Sequence, residues 1–324
     1  MSNSNTQSPD KKIRTIFMGT PEFACPALRS LASDSYFDII GVFTQPDKPV
    51  GRKHVITPTP VKSLALEKDL PIFQPLRIKQ EVETIKNLKP DLIVVVAYGQ
   101  IISQAILDIP RYGCINVHAS LLPKYRGAAC LNAPILYGDK ETGVTIMVMD
   151  AGLDTGPILR QTKVDLAEQE NLTLLHDKLS EIGAQVLPQT LKDFIAGEIK
   201  PRAQDNSQSS YIKVLDKEDG HIDWKNNAVE IERMVRAYNP WPGTFTVLEK
   251  ETSSRTVKIL AVGYKPLAIN DRQPGELFRH EKDLAIQCGQ DSLVILKLQI
   301  AGGRPMEAKD FLAGYSGLMG KVLD

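Results

Sequence analysis

The run Cys114-Ile115-Asn116-Val117-His118 sets polar side chains at a spacing that chemistry can use. Its alternation reads as a β-strand, and alternate residues of a strand share a face, so Asn116 and His118 emerge on one side. The strand runs into Ala119-Ser120-Leu121-Leu122-Pro123, a loop at its carboxyl end, where parallel α/β sheets collect ligands. The loop after the next long apolar run is acidic and glycine-rich: Met149-Asp150-Ala151-Gly152-Leu153-Asp154-Thr155-Gly156. If the two strands are neighbours, Asp154 comes within hydrogen-bond reach of the imidazole, favours its cationic form and holds the ring.

An amide, an imidazole and a carboxylate, with no serine or cysteine nucleophile beside them, suit direct acyl transfer better than a covalent acyl-enzyme. An amine attacks a carbonyl carbon, the oxygen becomes negative, and donors from Asn116 and His118 stabilise it. His118 also takes the proton that the amine loses. A free α-amino group has a pKa of about 7.7 to 8.0, so an appreciable fraction of it is already neutral near pH 7. Alone, a histidine at a strand end is ordinarily a hydrogen-bonded surface or core residue, and Asp154 could simply cap its turn. The three together tip the balance toward catalysis.

These residues need a scaffold. Residues 13–18 form a short apolar run, followed by a turn at Gly19-Thr20-Pro21 and a helical pattern over 22–32. The alternation repeats: strand 37–43, a helix near 61–68, a helix near 79–88, and strand 92–97. Strands alternating with helices predict a doubly wound, mainly parallel α/β sheet. Residues 92–97 are continuously apolar, as in a central strand covered on both faces, and residues 115–117 and 144–149 continue the sheet. A long amphipathic helix over 172–196 ends at Gly197. Residues 201–210 (PRAQDNSQSS) are polar and suit a linker. Beyond it, a helix over 228–237 and short β-type runs at 244–248, 256–262, 284–287 and 293–300 predict a small β-barrel. The expected organisation is a disordered tail over 1–12, a first domain over 13–200, a linker over 201–212 and a second domain over 213–324.

Bulk properties agree with two domains, since 324 residues exceed the usual size of one. Lysine plus arginine equals aspartate plus glutamate at 39 each, so charge does not announce a nucleic-acid partner. Cys25, Cys114, Cys130 and Cys288 are scattered, without a CxxC pair, which indicates neither disulfides nor a metal site. With no apolar leader and no long apolar span, the chain reads as cytoplasmic and without a membrane partner.

Residues 116–118 (NVH), 120–127 (SLLPKYRG) and 149–156 (MDAGLDTG) resemble motifs of the folate-dependent formyltransferases. The resemblance extends through residues 17–23 (FMGTPEF), 43–52 (FTQPDKPVGR), 95–100 (VVAYGQ), 143–147 (GVTIM) and 222–224 (IDW), so nearly the whole chain looks like the branch acting on methionyl-tRNA. It implies that Asn116, His118 and Asp154 are catalytic and that 10-formyltetrahydrofolate is the donor, with no metal. It also implies that Ser120, Leu121, Leu122 and Pro123 lie beside the folate. The pterin pocket would be formed by the backbone around Val96, Tyr98, Gly99 and Gln100 together with the Asp150 loop. A Rossmann-like first domain, an OB-like C-terminal barrel and a monomeric enzyme acting on methionyl initiator tRNA in translation initiation complete the expectation.

The acceptor must be read elsewhere, because the superfamily also formylates amino sugars and a ribonucleotide amine. Residues 46–60 (PDKPVGRKHVITPTP) are a long insertion carrying Lys48, Arg52 and Lys53, whose charge suits phosphates. Its length and prolines favour function over a solvated connection. In the family a loop here reaches the acceptor stem, with Arg52 as the matching arginine. Residues 238–245 (YNPWPGTF) resemble the start of a tRNA-binding domain, with Trp241 read as a core anchor in preference to a contact. Two departures stand out. Cys130-Leu131-Asn132-Ala133 replaces a proline followed by a glutamine-arginine pair, and Lys53-His54 stands where a glycine and two lysines are common. The second predicts milder tRNA contacts.

A sugar or ribonucleotide formyltransferase is disfavoured by the basic insertion, polar linker and β-rich tail. A non-catalytic nucleic-acid-binding module would leave the trio unexplained. A dehydrogenase fails because residues 19–23 (GTPEF) hold one glycine, not the G-x-G-x-x-G that admits a pyrophosphate.

Overall fold

A computed structural model of the chain describes residues 12–51, 54–250 and 253–324, so Arg52 and Lys53, and all of the expected tail except Lys12, lie outside the described residues. The first part runs β1 (Ile13–Gly19), α1 (Cys25–Ala32), β2 (Phe37–Phe43), β3 (Lys48–Val50), β4 (Val55–Thr57), α2 (Pro60–Glu67), β5 (Ile72–Phe73), α3 (Val82–Leu88), β6 (Leu92–Val96), α4 (Gln104–Leu107) and β7 (Cys114–His118). There follow β8 (Arg126–Gly127), α5 (Ala133–Leu136), β9 (Glu141–Val148), β10 (Ile158–Asp165), α6 (Leu172–Ile195) and β11 (Tyr211–Ile212).

Seven strands make one sheet in the order β10-β9-β7-β6-β1-β2-β5. β6 is buried at every position, as its unbroken apolar run requires. The pairs β1–β2, β1–β6, β2–β5 and β6–β7 are parallel. β9 breaks the pattern by pairing antiparallel with β7, with Asn116 opposite Met147 and His118 opposite Thr145. The expected sheet is therefore present, mainly parallel and doubly wound, with one strand reversed.

α6 lies against this sheet because Gly183 has no side chain: a Cβ there would come within 3.0 Å of Val117. Pro188 sits inside α6 and lacks the N–H that would reach the Ala184 carbonyl. The hydroxyl of Ser30 from α1 donates to that carbonyl instead, at 2.9 Å. One side chain thus satisfies the orphaned acceptor and ties helix to helix.

The described chain divides into two compact units that do not follow chain order. One holds the residues up to Gly127 with Thr142–Val164 and His176–Tyr211; the other holds Ala128–Glu141, Asp165–Leu175 and Ile212–Asp324. The second therefore recruits stretches whose sequence pattern assigned them to the first. The reason is α7 (Ala228–Tyr238), whose apolar stripe needs cover. Asn132, just before α5, donates to the Ala237 carbonyl at 2.7 Å, and Arg236 donates to the Glu170 carbonyl at 2.7 Å. A capping box of Asn227 and Glu230 starts α7 and contributes about 1 kcal/mol.

The rest of the second unit comprises β12 (Thr244–Lys250), β13 (Ser253–Val262), β14 (Leu277–His280), β15 (Asp283–Gln287), β16 (Ser292–Ile300), β17 (Met306–Glu307) and α8 (Ala308–Gly314). The sheet order is β12-β13-β16-β15-β14, with β17 beside β16. Residues 320–324 run between the two edge strands: Leu277 N–H donates to the Lys321 carbonyl at 2.9 Å and Asp324 N–H to the Val247 carbonyl at 3.0 Å. That segment closes the barrel and leaves neither edge unpaired. The four expected β-runs are β12, β13, β15 and β16; β14, β17 and α8 are too short to carry a periodic signal.

One expectation is corrected here. Trp241 is 58% exposed, and the core position belongs to Trp224, whose indole N–H donates to Thr246 Oγ1 at 3.0 Å. Trp241 stands in a turn that closes through Gly243 N–H to the Tyr238 carbonyl, and that turn projects its ring outward. Among the described residues no helix is long and apolar enough to cross a membrane.

Candidate active site

Strand alternation in β7 turns Val117 toward α6, and it brings Asn116 and His118 out on the opposite face. Asp154 meets both: its Oδ1 is 3.5 Å from Asn116 Nδ2 and 3.7 Å from His118 Nδ1. The second separation is an ion-pair distance, longer than the hydrogen bond expected from sequence. Its other oxygen, Oδ2, accepts from the Gly127 N–H at 2.8 Å. The carboxylate is thus anchored by backbone, with one oxygen left facing the amide and the imidazole.

The route of the acidic loop differs from a simple junction of two carboxyl ends. Because β9 is antiparallel, the loop departs beside Cys114, where Met149 N–H donates to the Cys114 carbonyl at 2.7 Å. It must then travel back along β7 to reach His118. Asp154 takes a left-handed backbone, φ 55°, in the process. At Gly156 any Cβ would collide with the Val148 carbonyl, so only glycine allows that close a return. Asp150 folds the near half of the loop, accepting from Gly152 N–H at 3.1 Å and Thr155 Oγ at 2.6 Å.

His118 is 6% exposed, and its Nε2 lies 3.0 Å from the Tyr125 carbonyl oxygen. A carbonyl only accepts, so Nε2 carries a proton and Nδ1 is the nitrogen that gains or loses one beside Asp154. Asp154 then offsets the charge of the imidazolium.

The loop 119–127 is rigid for reasons visible in its bonds. Ser120 is fully buried and its hydroxyl donates to the Lys124 carbonyl at 2.7 Å. Thr145 Oγ1 donates to the Ser120 carbonyl at 2.6 Å and accepts from Leu122 N–H at 3.1 Å. Gln161 donates to the Leu122 carbonyl at 2.8 Å. The Ser120 hydroxyl is thus spent on shaping the loop, and Leu122 is buried, whereas Leu121 and Pro123 are half-buried.

On the β6 side, the side chains of Val96 and Tyr98 are buried while Ala97 and Gly99 are exposed, with φ 47° and 83°. Backbone is therefore what this segment presents. The Tyr98 carbonyl is held by Thr20 Oγ at 2.9 Å and Gln45 Nε2 at 3.3 Å. Its phenol has no hydrogen-bond partner among the described residues, and burial pushes its pKa up to about 12. Cys114, at the foot of β7, is likewise pushed up to about 12 by burial, which makes it an inert thiol.

Lys48 is exposed on β3, and β3 pairs with β4 as a small hairpin carrying exposed Val55 and Ile56. Its base is anchored: Asp47 accepts from Lys62 at 2.6 Å and Gln74 at 2.7 Å, a pairing that holds its carboxyl below the usual range. Sequence reasoning assigned no role to Tyr125, Arg126 or Gly127, although they lie inside a quoted motif, and it took Gln204 and Ser210 for linker. Among the described residues no group of three or more His, Cys, Asp or Glu side chains is arranged to hold a metal.

This geometry can be set beside known proteins. A model described as formyl transferase matches residues 11–191, and a model described as formyl transferase, C-terminal domain, matches residues 214–316. The chain belongs to the formyl transferase family. Within that family, the methionyl-tRNA formyltransferase of Geobacter sulfurreducens is 45% identical over 306 residues, covering 94% of each chain. That of Caldanaerobacter subterraneus subsp. tengcongensis is 42% identical over 316 residues, covering 96% of this chain and all of its own. The fold is shared with the N-formyltransferase of Helicobacter canadensis, solved with folinic acid and dTDP-3-aminofucose, at a TM-score of 0.64 and 18% identity; the match covers 87% of this chain and 98% of that one. The fold is shared as well with HypX from Aquifex aeolicus, solved in complex with tetrahydrofolic acid, at a TM-score of 0.60 and 17% identity; the match covers 93% of this chain and 47% of that one.

Proposed function

We propose that the enzyme transfers the formyl group of 10-formyltetrahydrofolate directly to the α-amine of methionyl initiator tRNA. The observation that carries the reading is the convergence of Asn116 and His118 on one Asp154 oxygen, on a chain that methionyl-tRNA formyltransferase relatives match over 94% and 96% of its length.

The neutral amine attacks the formyl carbon, and the carbonyl oxygen takes up the negative charge of a tetrahedral intermediate. The Asn116 amide donates to that oxygen from a fixed strand, a contribution of about a hundredfold to a thousandfold. His118 Nδ1 accepts the proton leaving the amine, and Asp154 stabilises the resulting imidazolium. The bond from carbon to the folate nitrogen then breaks, the imidazolium returns a proton to that nitrogen, and tetrahydrofolate departs. The sites of folate contact are the exposed residues Ala97 and Gly99 and the loops at 119–123 and 150–154. The hairpin of β3 and β4 approaches acceptor-stem phosphates, with Lys48, Arg52 and Lys53 supplying charge.

The test is transfer with purified protein, 10-formyltetrahydrofolate and charged initiator tRNA. The expected result is one tetrahydrofolate released per methionine amine blocked; no transfer to this acceptor contradicts the reading.

A further inference from the structure

We infer that Gln204 is a positioning residue for this reaction, its amide holding the returning backbone of the Asp154 loop on the path that aims the carboxylate at Asn116 and His118. The inference rests on the reading of Asp154 as a catalytic group. Gln204 Nε2 donates to the Asp154 carbonyl at 2.8 Å and to the Gly156 carbonyl at 2.7 Å. Both hydrogens of one amide therefore bridge the residues on either side of Thr155. That is where the loop turns: Asp154 sits at φ 55°, in the left-handed region, which residues other than glycine adopt only at a small minority of positions.

A side-chain amide could be built either way round by shape alone, and here its neighbour decides. Arg126 donates to Gln204 Oε1 through Nε at 3.1 Å and Nη2 at 2.7 Å. A guanidinium has no acceptor, so the oxygen must face it and the NH₂ must face the two carbonyls. Arg126 is 2% exposed, and among the described residues its acceptors are all uncharged, with Asn206 Oδ1 at 2.7 Å and the Tyr211 hydroxyl at 3.5 Å beside Gln204. A buried cation without a carboxylate is costly unless its donors are used. This one is used to orient an amide.

The same stretch touches the other catalytic groups. The Tyr125 carbonyl meets His118 Nε2, and the Gly127 N–H meets Asp154 Oδ2. The run 125–127 is in turn strapped by Ser210, whose carbonyl accepts from Arg126 N–H at 2.8 Å and whose hydroxyl accepts from Tyr125 N–H at 2.9 Å. A displacement of about 1 Å at a reacting group can cost about a hundredfold in rate, so freeing the Asp154 loop is expected to act on turnover.

Gln204→Glu separates this role from simple support. A carboxylate still accepts from Arg126, and adds an ion pair to it, but it has no hydrogen for the Asp154 and Gly156 carbonyls. Measured on the full chain beside Q204A and D154A, well below the melting temperature of each variant, Q204E is expected to lose about tenfold to a hundredfold in kcat while fully folded. KM for the formyl donor and for tRNA should stay within about twofold, and Q204A should lose at least as much kcat. Parental kcat in Q204E with an inactive D154A overturns the inference and leaves the trio standing. A loss in Q204E that tracks lower melting temperature, or that falls on KM alone, also overturns it. Parental kcat in D154A overturns the reading beneath it, and the inference with it.

Discussion

The catalytic loops and the hairpin of β3 and β4 are built on opposite terms. Around His118, the loops 119–127 and 150–156 are tied at nearly every turn by buried hydroxyls, amides and backbone groups such as Ser120, Thr145 and Gly127. The hairpin has two three-residue strands, with Val55 and Ile56 58% and 70% exposed, and among the described residues its side-chain anchoring lies at its base, through Asp47 and Thr59. The difference teaches a division of labour. On the proposed reading, transition-state donors must not reorganise during reaction and so are held rigidly, whereas a segment that meets a large polyanion gains from reach and charge, which need no packed layer.

The division breaks if the two regions respond alike to mutation. His118→Ala and Asp154→Ala are expected to lower kcat by about a hundredfold to ten-thousandfold, with the tRNA dissociation constant nearly unchanged in a direct binding titration. Asn116→Ala should cost about a hundredfold to a thousandfold in kcat, again without weakening tRNA. Arg52→Ala should do the reverse, raising KM for tRNA and reducing the slope of log affinity against log salt by about 0.7 to 0.9; an unchanged slope would remove the hairpin from the account. Equal, small effects from all four substitutions would dissolve the distinction altogether.

The smallest effect concerns stability. Tyr98 keeps its proton to about pH 12 when folded, because burial disfavours the phenolate, and releases it near the ordinary tyrosine value of about 10 when unfolded. Between those values the unfolded chain binds fewer protons, so stability falls as pH rises; below pH 10 the contribution is fully present. Tyr98→Phe should abolish an alkaline loss of about 2 to 3 kcal/mol, seen as a flatter urea midpoint from pH 10 to 12. At neutral pH it should cost nothing, since the phenol hydroxyl lacks a partner among the described residues.

What could be read beforehand follows from where periodicity exists. The period of two in residues 114–118 placed Asn116 and His118 on one face, and the unbroken apolar run of β6 marked the sheet's interior. The acidic loop was legible as acid and glycine, but not its path, because nothing in residues 141–149 distinguishes an antiparallel partner from a parallel one. Gln204 and Ser210 were hidden for another reason: a polar stretch without a repeating pattern looks the same whether water or a neighbouring loop satisfies it. Trp224, and not Trp241, fills the core position because burial of an aromatic depends on what covers it, and the barrel's closure by residues 320–324 is a long-range event.

The central claim, direct formylation of one particular amine, is tested most directly by competition in a single tube. The enzyme is given 10-formyltetrahydrofolate, methionyl initiator tRNA, a nucleotide-linked amino sugar and a ribonucleotide amine, and every product is quantified. The account predicts that the formyl group appears on the methionine amine, equal in amount to the tetrahydrofolate released. Formyl transfer to the sugar or ribonucleotide amine in preference to methionyl-tRNA would contradict it.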